Sequence, residues 1–358
     1  MGAEGGVGRH VIDLSYGLAN LGHNITIIHN KIKDQALEKN FSKLDRLGVI
    51  RKELVFKRNI GISDFFVSLR ILFFVIFSKH FDVIHGHSSK GGVYARIAGL
   101  FSKAKIVYTP HAFFSMNTSL SKLKSIFIKY IEFFLSLFSD LIILTSNSER
   151  EHAECIKINN SKLRLISNGS YMSPFNKIKH LTKKKSKMNI GFVGRLSFQK
   201  DPLRAVKIFS LAYKNNKQLR FFILGDGEYL NSLNALIKKM NLSSKIKVIK
   251  QRNLNDFLSN IDLLLATSRY EGSPYLFQDA CMASIPIIST NVGGVEFFVK
   301  NGYNGYVYEN DEEAANLINQ CLGSSNFISK IPNRSVNILK NFSLRNMTNQ
   351  TLKAYLTI

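Results

Sequence analysis

Acidic residues are scarce in this 358-residue chain, with 25 Asp and Glu against 49 Lys and Arg and a formal net charge of +24. So large an excess invites an anionic partner, nucleic acid or a membrane surface. It has no focus, however: residues 1–180 carry 25 basic and 13 acidic side chains and the remainder 24 and 12, leaving +12 in each half. A nucleic-acid binder would gather its charge into a patch with interleaved aromatics or an arginine-rich tail; the sequence has neither, so no nucleic-acid partner is expected. Cysteine is also scarce. Cys155, Cys281 and Cys321 are odd in number and form no Cys-x-x-Cys pair, which argues against a disulfide framework and a structural zinc site and for a reducing, cytoplasmic setting. Long apolar runs are missing as well. The most apolar stretches, residues 65–77 broken by Arg70 and residues 126–138 broken by Lys129 and Glu132, fall short of the roughly 20 residues that span a bilayer. They read as buried or half-buried helices, the alternative being an amphipathic face lying on a membrane. No secretory leader opens the sequence, since Met1 leads directly into Gly2, Ala3, Glu4 and Gly5.

What is present suits two α/β domains of ordinary size: 358 residues, 45% apolar and 21% charged. The first region opens on a glycine loop, Gly5, Gly6 and Gly8, running into a helix, where backbone can approach a phosphate or sugar closely. Strands follow at residues 25–28 and 81–84, the latter ending in His85, Gly86 and His87 before a helix at residues 93–100. Further strands at 105–109 (ending at Pro110 and His111), 141–146 and 163–169 complete a first domain over residues 1–177. His85 and His87 read as structural, whereas His111 follows a strand's carboxyl end, where an imidazole can donate to a sugar hydroxyl. In a doubly wound sheet the first glycine loop follows a strand lying mid-sheet, yet only Met1 to Glu4 precede Gly5. The natural chain is therefore expected to start upstream, with about ten residues carrying a Val-, Ile- and Leu-rich run.

A basic, polar linker at residues 178–187 leads to a second domain over residues 188–340. Its first strand, 188–193, ends in Gly194 and Arg195, and after Lys200 comes Asp201, fit to cap a helix with Pro202 at its first position. Arg195 and Lys200 thus sit at the rim of a sheet edge, a planar fork and a point charge for phosphate oxygens. A strand at 221–224 ends in a glycine turn at Gly225. The strand at 263–266 is followed by Glu271, then by Pro274 and a helix over 275–283 whose opening amides, at Tyr275 and Leu276, favour an anion. Asp279 lies in that helix eight residues on from Glu271, and the two carboxylates can flank a polyhydroxyl ligand. A last helix occupies residues 341–358.

The stretch from Glu271 to Asp279 resembles the Glu-x7-Glu signature of the retaining glycosyltransferases of family 4, with Asp one methylene shorter than the usual second Glu. The Gly-Arg-(x)4-Lys spacing at 194–200 matches that family's diphosphate clamp, and Thr109, Pro110 and His111 are similar to its segment bearing a donor-facing histidine. The resemblance covers nearly the whole chain. It implies a GT-B fold, two Rossmann-like doubly wound parallel-sheet domains facing a cleft: an acceptor-side domain at 1–177, a nucleotide-sugar domain at 188–340, and the last helix crossing back to the first. It implies retaining transfer of a sugar from a nucleotide-diphosphate donor to a glycan or lipid-linked acceptor, in bacterial surface polysaccharide (such as lipopolysaccharide) synthesis. His111 and Glu271 would be catalytic, and Gly6, Arg195, Lys200, Gly225, Tyr275, Leu276 and Asp279 would bind the donor. No cofactor or metal is expected. Asp226 and Glu228, superficially like the metal-binding acids of the other major glycosyltransferase fold, read as a turn. Peripheral contact with the anionic inner face of the cytoplasmic membrane is the expected location. A sugar-nucleotide epimerase of the same fold is the alternative, a basic nucleic-acid binder the lesser one.

Overall fold

The structure, a computed structural model, describes residues 5–31, 35–55, 61–78, 80–170, 187–250 and 253–358. It divides into two compact units, one of residues 1–171 and 342–358 and one of residues 172–341. The expected linker lies, but for Lys187, outside the described residues, as do residues 1–4 on which the expectation of an upstream strand turns.

The first unit runs α1 (Gly6–Asn20), β1 (Thr26–His29), α2 (Gln35–Asp45), β2 (Ile50–Glu53), α3 (Ile62–Phe77), β3 (Val83–His87), α4 (Ser88–Gly99), β4 (Lys105–Thr109), α5 (Lys122–Ser136), β5 (Leu141–Leu144), α6 (Asn147–Cys155) and β6 (Leu163–Leu165), and is closed by the chain's terminal helix (Leu344–Tyr355). All pairings are parallel, but the strands form two sheets, β1-β2 and β3-β4-β5-β6. Helix α1 packs on both: Val11 and Ile12 cluster with Ile27 and Phe41, and one turn on Leu14 and Leu18 cluster with Val107 and Leu141. The terminal helix joins the second cluster through Met347 and Ala354. Strand β5, Leu-Ile-Ile-Leu, is buried throughout, as a parallel strand covered on both faces must be.

One expectation needs correction here. The helix expected at residues 93–100 begins at Ser88, because Gly91 and Gly92 are not breakers: a Cβ on Gly92 would lie 2.4 Å from the Tyr108 ring and one on Gly86 2.5 Å from the Gly91 carbonyl. These glycines let α4 lie close on β3 and β4. The apolar stretches at 65–77 and 126–138, expected as buried or half-buried helices, form α3 and α5, which are half-buried on one side and expose large apolar side chains on the other. Helix α3 buries only Val67 and Ile71, and the one buried residue of α5 is Ser136. Among the described residues no helix is long and apolar enough to cross a membrane.

The second unit runs β7 (Met188–Val193), α7 (Pro202–Asn215), β8 (Leu219–Leu224), α8 (Leu230–Lys239), β9 (Ile246–Ile249), α9 (Leu254–Leu258), β10 (Leu263–Ala266), α10 (Tyr275–Met282), β11 (Ile287–Thr290), α11 (Val295–Phe298), β12 (Gly305–Tyr308), α12 (Asp311–Gly323) and α13 (Ser325–Leu339). Its six strands pair in parallel in the order β12-β11-β10-β7-β8-β9, a doubly wound sheet whose order reverses between β7 and β10. Ile190, Phe192, Phe221, Leu263 and Leu265 are almost wholly buried on it, under Phe209 of α7 and Ile318 of α12. Such a reversal point opens a crevice at the carboxyl ends of the two flanking strands.

Candidate active site

Two loops leave that crevice, residues 194–201 after β7 and residues 267–274 after β10. They are stitched together. Thr267 Oγ1 donates to the carbonyls of Lys200 and Asp201, both at 2.9 Å, the Arg269 amide donates to the Gln199 carbonyl at 2.8 Å, and Gln199 Nε2 returns to the Tyr270 carbonyl at 3.1 Å. The Arg269 guanidinium meets the Asp201 carboxylate at 2.6 Å and covers the Phe198 ring. Asp201 itself takes a left-handed conformation (φ 47°) and accepts the Arg204 amide at 3.3 Å, capping α7 with Pro202 in its first turn.

These contacts bring together Lys200 and Glu271, 71 positions apart, with Lys200 Nζ 2.5 Å from Glu271 Oε1. Glu271 is buried and Lys200 half-buried. The lysine stem crosses Gly194, where a Cβ would come within 3.3 Å of Lys200 Cγ and where φ is 151°. Gly225 closes the neighbouring loop against the same turn, since a Cβ there would stand 1.9 Å from the Gly194 carbonyl oxygen. Asp226 turns its carboxylate to the Gly227 amide at 2.9 Å. Arg195 is exposed beside the clamp and, among the described residues, makes no ion pair. Helix α10 opens after Pro274 with Tyr275 buried and Leu276 half-buried, and Asp279 is buried on it. Arg195, Lys200, Gly225, Glu271, Tyr275, Leu276 and Asp279 therefore all belong to the second unit. Gly6 and His111 belong to the first.

A lysine held by a salt bridge in a sheet-edge crevice can exchange its carboxylate for another anion. Lys200→Ala should weaken the binding of the nucleotide diphosphate expected from the sequence by about 1.5–3 kcal/mol, the range for a hydrogen bond to a charged group. An affinity by titration calorimetry within twofold of the parent removes Lys200 from the clamp.

In the first unit the carboxyl ends of β3 and β4 and the start of α1 gather four histidines. His87 Nδ1 lies 3.2 Å from His111 Nε2, the rings of His85 and His87 are 4.0 Å apart, and those of His10 and His111 are 4.7 Å apart. Gly6 begins α1 after Gly5 (φ 80°), which places His10 one turn into the helix with its Nδ1 2.9 Å from Asn168 Oδ1. His85 is held on both nitrogens, by the Tyr355 hydroxyl at 2.6 Å and Thr109 Oγ1 at 2.8 Å, as a structural residue would be. His87, also read as structural, faces His111. Burial, reinforced by the neighbouring imidazoles, lowers the pKa of His87 and His111 well below 6.5; burial lowers His85 to about 3, and lowers His10 to about 4 against the opposing Asn168 hydrogen bond. All four are neutral at pH 7. One ring nitrogen each of His10, His87 and His111 lie within 4.8 Å of one another, so these three could hold a transition metal. The cation that accompanies a diphosphate, magnesium, takes oxygen ligands instead.

The sequence reading missed Glu149. Wholly buried in the first turn of α6, it accepts the amides of Ala112 and Thr145, the latter at 2.6 Å, and burial raises its pKa. His111 and Ala112 both have positive φ (53° and 74°), a conformation costly for side-chain-bearing residues, and the carboxylate pins that turn. The pattern Ser146-x-x-Glu149, a capping-box signature, could have drawn attention to it.

Comparison with known proteins gives this geometry a class, the GT-B glycosyltransferases. The chain superimposes with a TM-score of 0.80 on Anabaena HepE, solved with UDP and glucose, at 17% identity over 100% of this chain and 98% of that one. The chain belongs to the glycosyltransferases of group 1 and family 4: residues 174–335 match Glycosyl transferases group 1 and residues 4–170 match Glycosyltransferase Family 4. It is 30% identical over 268 residues, 70% of this chain and 68% of the relative, to the Escherichia coli UDP-Gal:alpha-D-GlcNAc-diphosphoundecaprenol alpha-1,3-galactosyltransferase. It is also 29% identical to the Escherichia coli O-antigen biosynthesis glycosyltransferase WbnH, over 71% of each chain.

Proposed function

We propose that this glycosyltransferase moves a hexose from a UDP-linked donor to a lipid-linked glycan of the diphosphoundecaprenol type, with retention of anomeric configuration and without a metal ion, at the inner face of the cytoplasmic membrane. The observation that carries the reading is the Lys200–Glu271 pair at the reversal point of the second sheet. The donor and acceptor classes come from the galactosyltransferase relative. On this reading the diphosphate displaces Glu271 from Lys200, with Arg195 and the opening amides of α10 at Tyr275 and Leu276 completing its cradle. Glu271, released, accepts hydrogen bonds from the donor sugar, Asp279 from the ribose. Gly225 and Gly6 give backbone room beside the ligand. His111, neutral, donates a hydrogen bond beside the anomeric carbon. The bond from that carbon to the diphosphate oxygen breaks, the acceptor oxygen bonds on the same face, and the departing diphosphate takes the acceptor's proton.

The test is turnover of UDP-hexoses with a diphosphoprenol-linked N-acetylglucosamine acceptor, with and without EDTA. An α-linked product from an α-linked donor, formed at the same rate in chelator, is the expected result. Loss of turnover in EDTA that magnesium or manganese restores overturns the metal-free cradle. Interconversion of sugar epimers without acceptor would be the epimerase reading, to which the relatives lend no support.

A further inference from the structure

We infer that the outward face of α5 is a docking surface for an anionic lipid bilayer. The helix turns its wider apolar side outward and leaves only Ile128 and Leu135, both half-buried, among the apolar residues of its inner side. Leu123, Phe127, Tyr130 and Phe134, at spacings of four and three residues, form one stripe, and they are 81%, 66%, 70% and 58% exposed. At 100° per residue, Ile126, Ile131 and Phe133 widen the apolar arc to about 160°; all three are exposed. The opposite side carries Ser125, Glu132 and Ser136 beside the half-buried Ile128 and Leu135. Glu132 accepts the Phe114 amide at 2.8 Å and the Ser115 hydroxyl, and Ser136 Oγ donates to the Phe133 carbonyl at 2.6 Å.

Folding in water selects the reverse arrangement, so a face this apolar has an occupant. The charges identify it. Lys122 and Lys129 border the arc on one side and Lys124 on the other, while the helix's single acid, Glu132, points inward. An apolar arc with lysines along both rims is the pattern of a helix lying in the interface of an anionic membrane, where the lysines reach up to lipid phosphates. A second copy of this chain fits less well, because a self-complementary contact would set basic rims against each other. Exposed apolar side chains continue past the helix: Leu137 and Phe138 are 55% and 38% exposed, and Leu100 at the end of α4 and the adjoining Phe101 are 59% and 64% exposed. The inference deepens the lipid-linked acceptor reading and rests on it for its purpose, since an enzyme docked through α5 meets an acceptor confined to the bilayer.

The test measures docking with neither donor nor acceptor present, so its failure is separate from failure of the transferase reading. The full chain is sedimented with vesicles of phosphatidylethanolamine and phosphatidylglycerol, or of phosphatidylcholine alone. At least tenfold stronger partitioning to the anionic vesicles is expected. The triple variant Phe127→Ser, Tyr130→Ser, Phe134→Ser should lose tenfold or more, with an unchanged circular-dichroism melt because these side chains are exposed. The chain has no tryptophan, so Phe127→Trp supplies a single reporter. Its emission should shift to the blue on anionic vesicles and be quenched by brominated acyl chains, while Val336→Trp on the second unit should not respond. Undiminished partitioning of the triple variant, or a Phe127→Trp emission indifferent to vesicles, overturns the proposal. So does a stable dimer in solution that the triple variant dissociates, for the occupant is then a second copy.

Discussion

Glu271→Gln should lower the transfer rate about 10²- to 10³-fold, the loss typical of removing one preorganised electrostatic contact, while UDP binds no more weakly than before. The two effects part because, on the proposed reading, Glu271 and the donor diphosphate compete for one ammonium, Lys200 Nζ lying 2.5 Å from Glu271 Oε1. Neutralising the carboxylate frees Lys200 for the diphosphate but takes the charged acceptor from the sugar hydroxyls. The loop should hold, because its anchors, Thr267 on the Lys200 and Asp201 carbonyls and Thr290 Oγ1 on the Ser268 carbonyl at 2.7 Å, do not involve the carboxylate. A merely structural ion pair would behave otherwise. Glu271→Gln and Lys200→Ala would then lower the melting temperature alike and move UDP affinity in the same direction. Calorimetry of both variants beside steady-state rates decides between the two, and a Glu271→Gln rate within tenfold of the parent removes the residue from the mechanism.

Much of the second unit can be read directly from its residues, for physical reasons. Leu263 to Ala266 and Ile287 to Thr290 are short apolar runs because a parallel strand is covered on both faces, and Asp201 with Pro202 announces a helix start that side-chain and ring chemistry both require. Spacing also placed Lys200 near the strand end, but its pairing with Glu271 depends on how two loops from non-consecutive strands are tied, which no local pattern encodes. The first unit was harder. Gly91 and Gly92 have the composition of a turn, yet Gly92 serves helix-on-strand packing against Tyr108, a long-range demand. The stripe of α5 has clear helical periodicity, but periodicity is the same whichever way a stripe faces. Its outward orientation is set by Glu132 binding the 114–115 backbone, a contact between segments 17 or more residues apart. His10, His85, His87 and His111 likewise look unrelated until two strand ends and a helix start bring them together.

That histidine cluster makes the first unit acid-labile, and its unfolding should begin well above the pH at which carboxylates titrate. All four imidazoles have folded-state pKa values below the unfolded value of 6.5, His10 at about 4 and His85 at about 3, because burial removes water and each neighbour opposes a second charge. The unfolded chain therefore binds protons first. The stability these groups confer is fully present above about pH 7 and is lost as pH falls from 6.5 toward 4. At pH 5.5 a fully shielded histidine forfeits about 1.4 kcal/mol. His10 and His87 are buried and His85 and His111 half-buried, so all four act in the same direction, and a few kcal/mol is a large fraction of the stability of a small domain. Glu149, whose pKa is raised by burial, opposes this by taking up a proton in the folded state as pH falls. Circular-dichroism melts at pH 7.5 and 5.5 should show one of two transitions falling by ten degrees or more while the other holds. His10→Asn should make the acid-sensitive transition less steep in pH by about one proton, as deleting one titrating group requires. Equal melting of both transitions at the two pH values would mean that the cluster takes up protons in place, and the neutral His111 assigned to the sugar would fall with it.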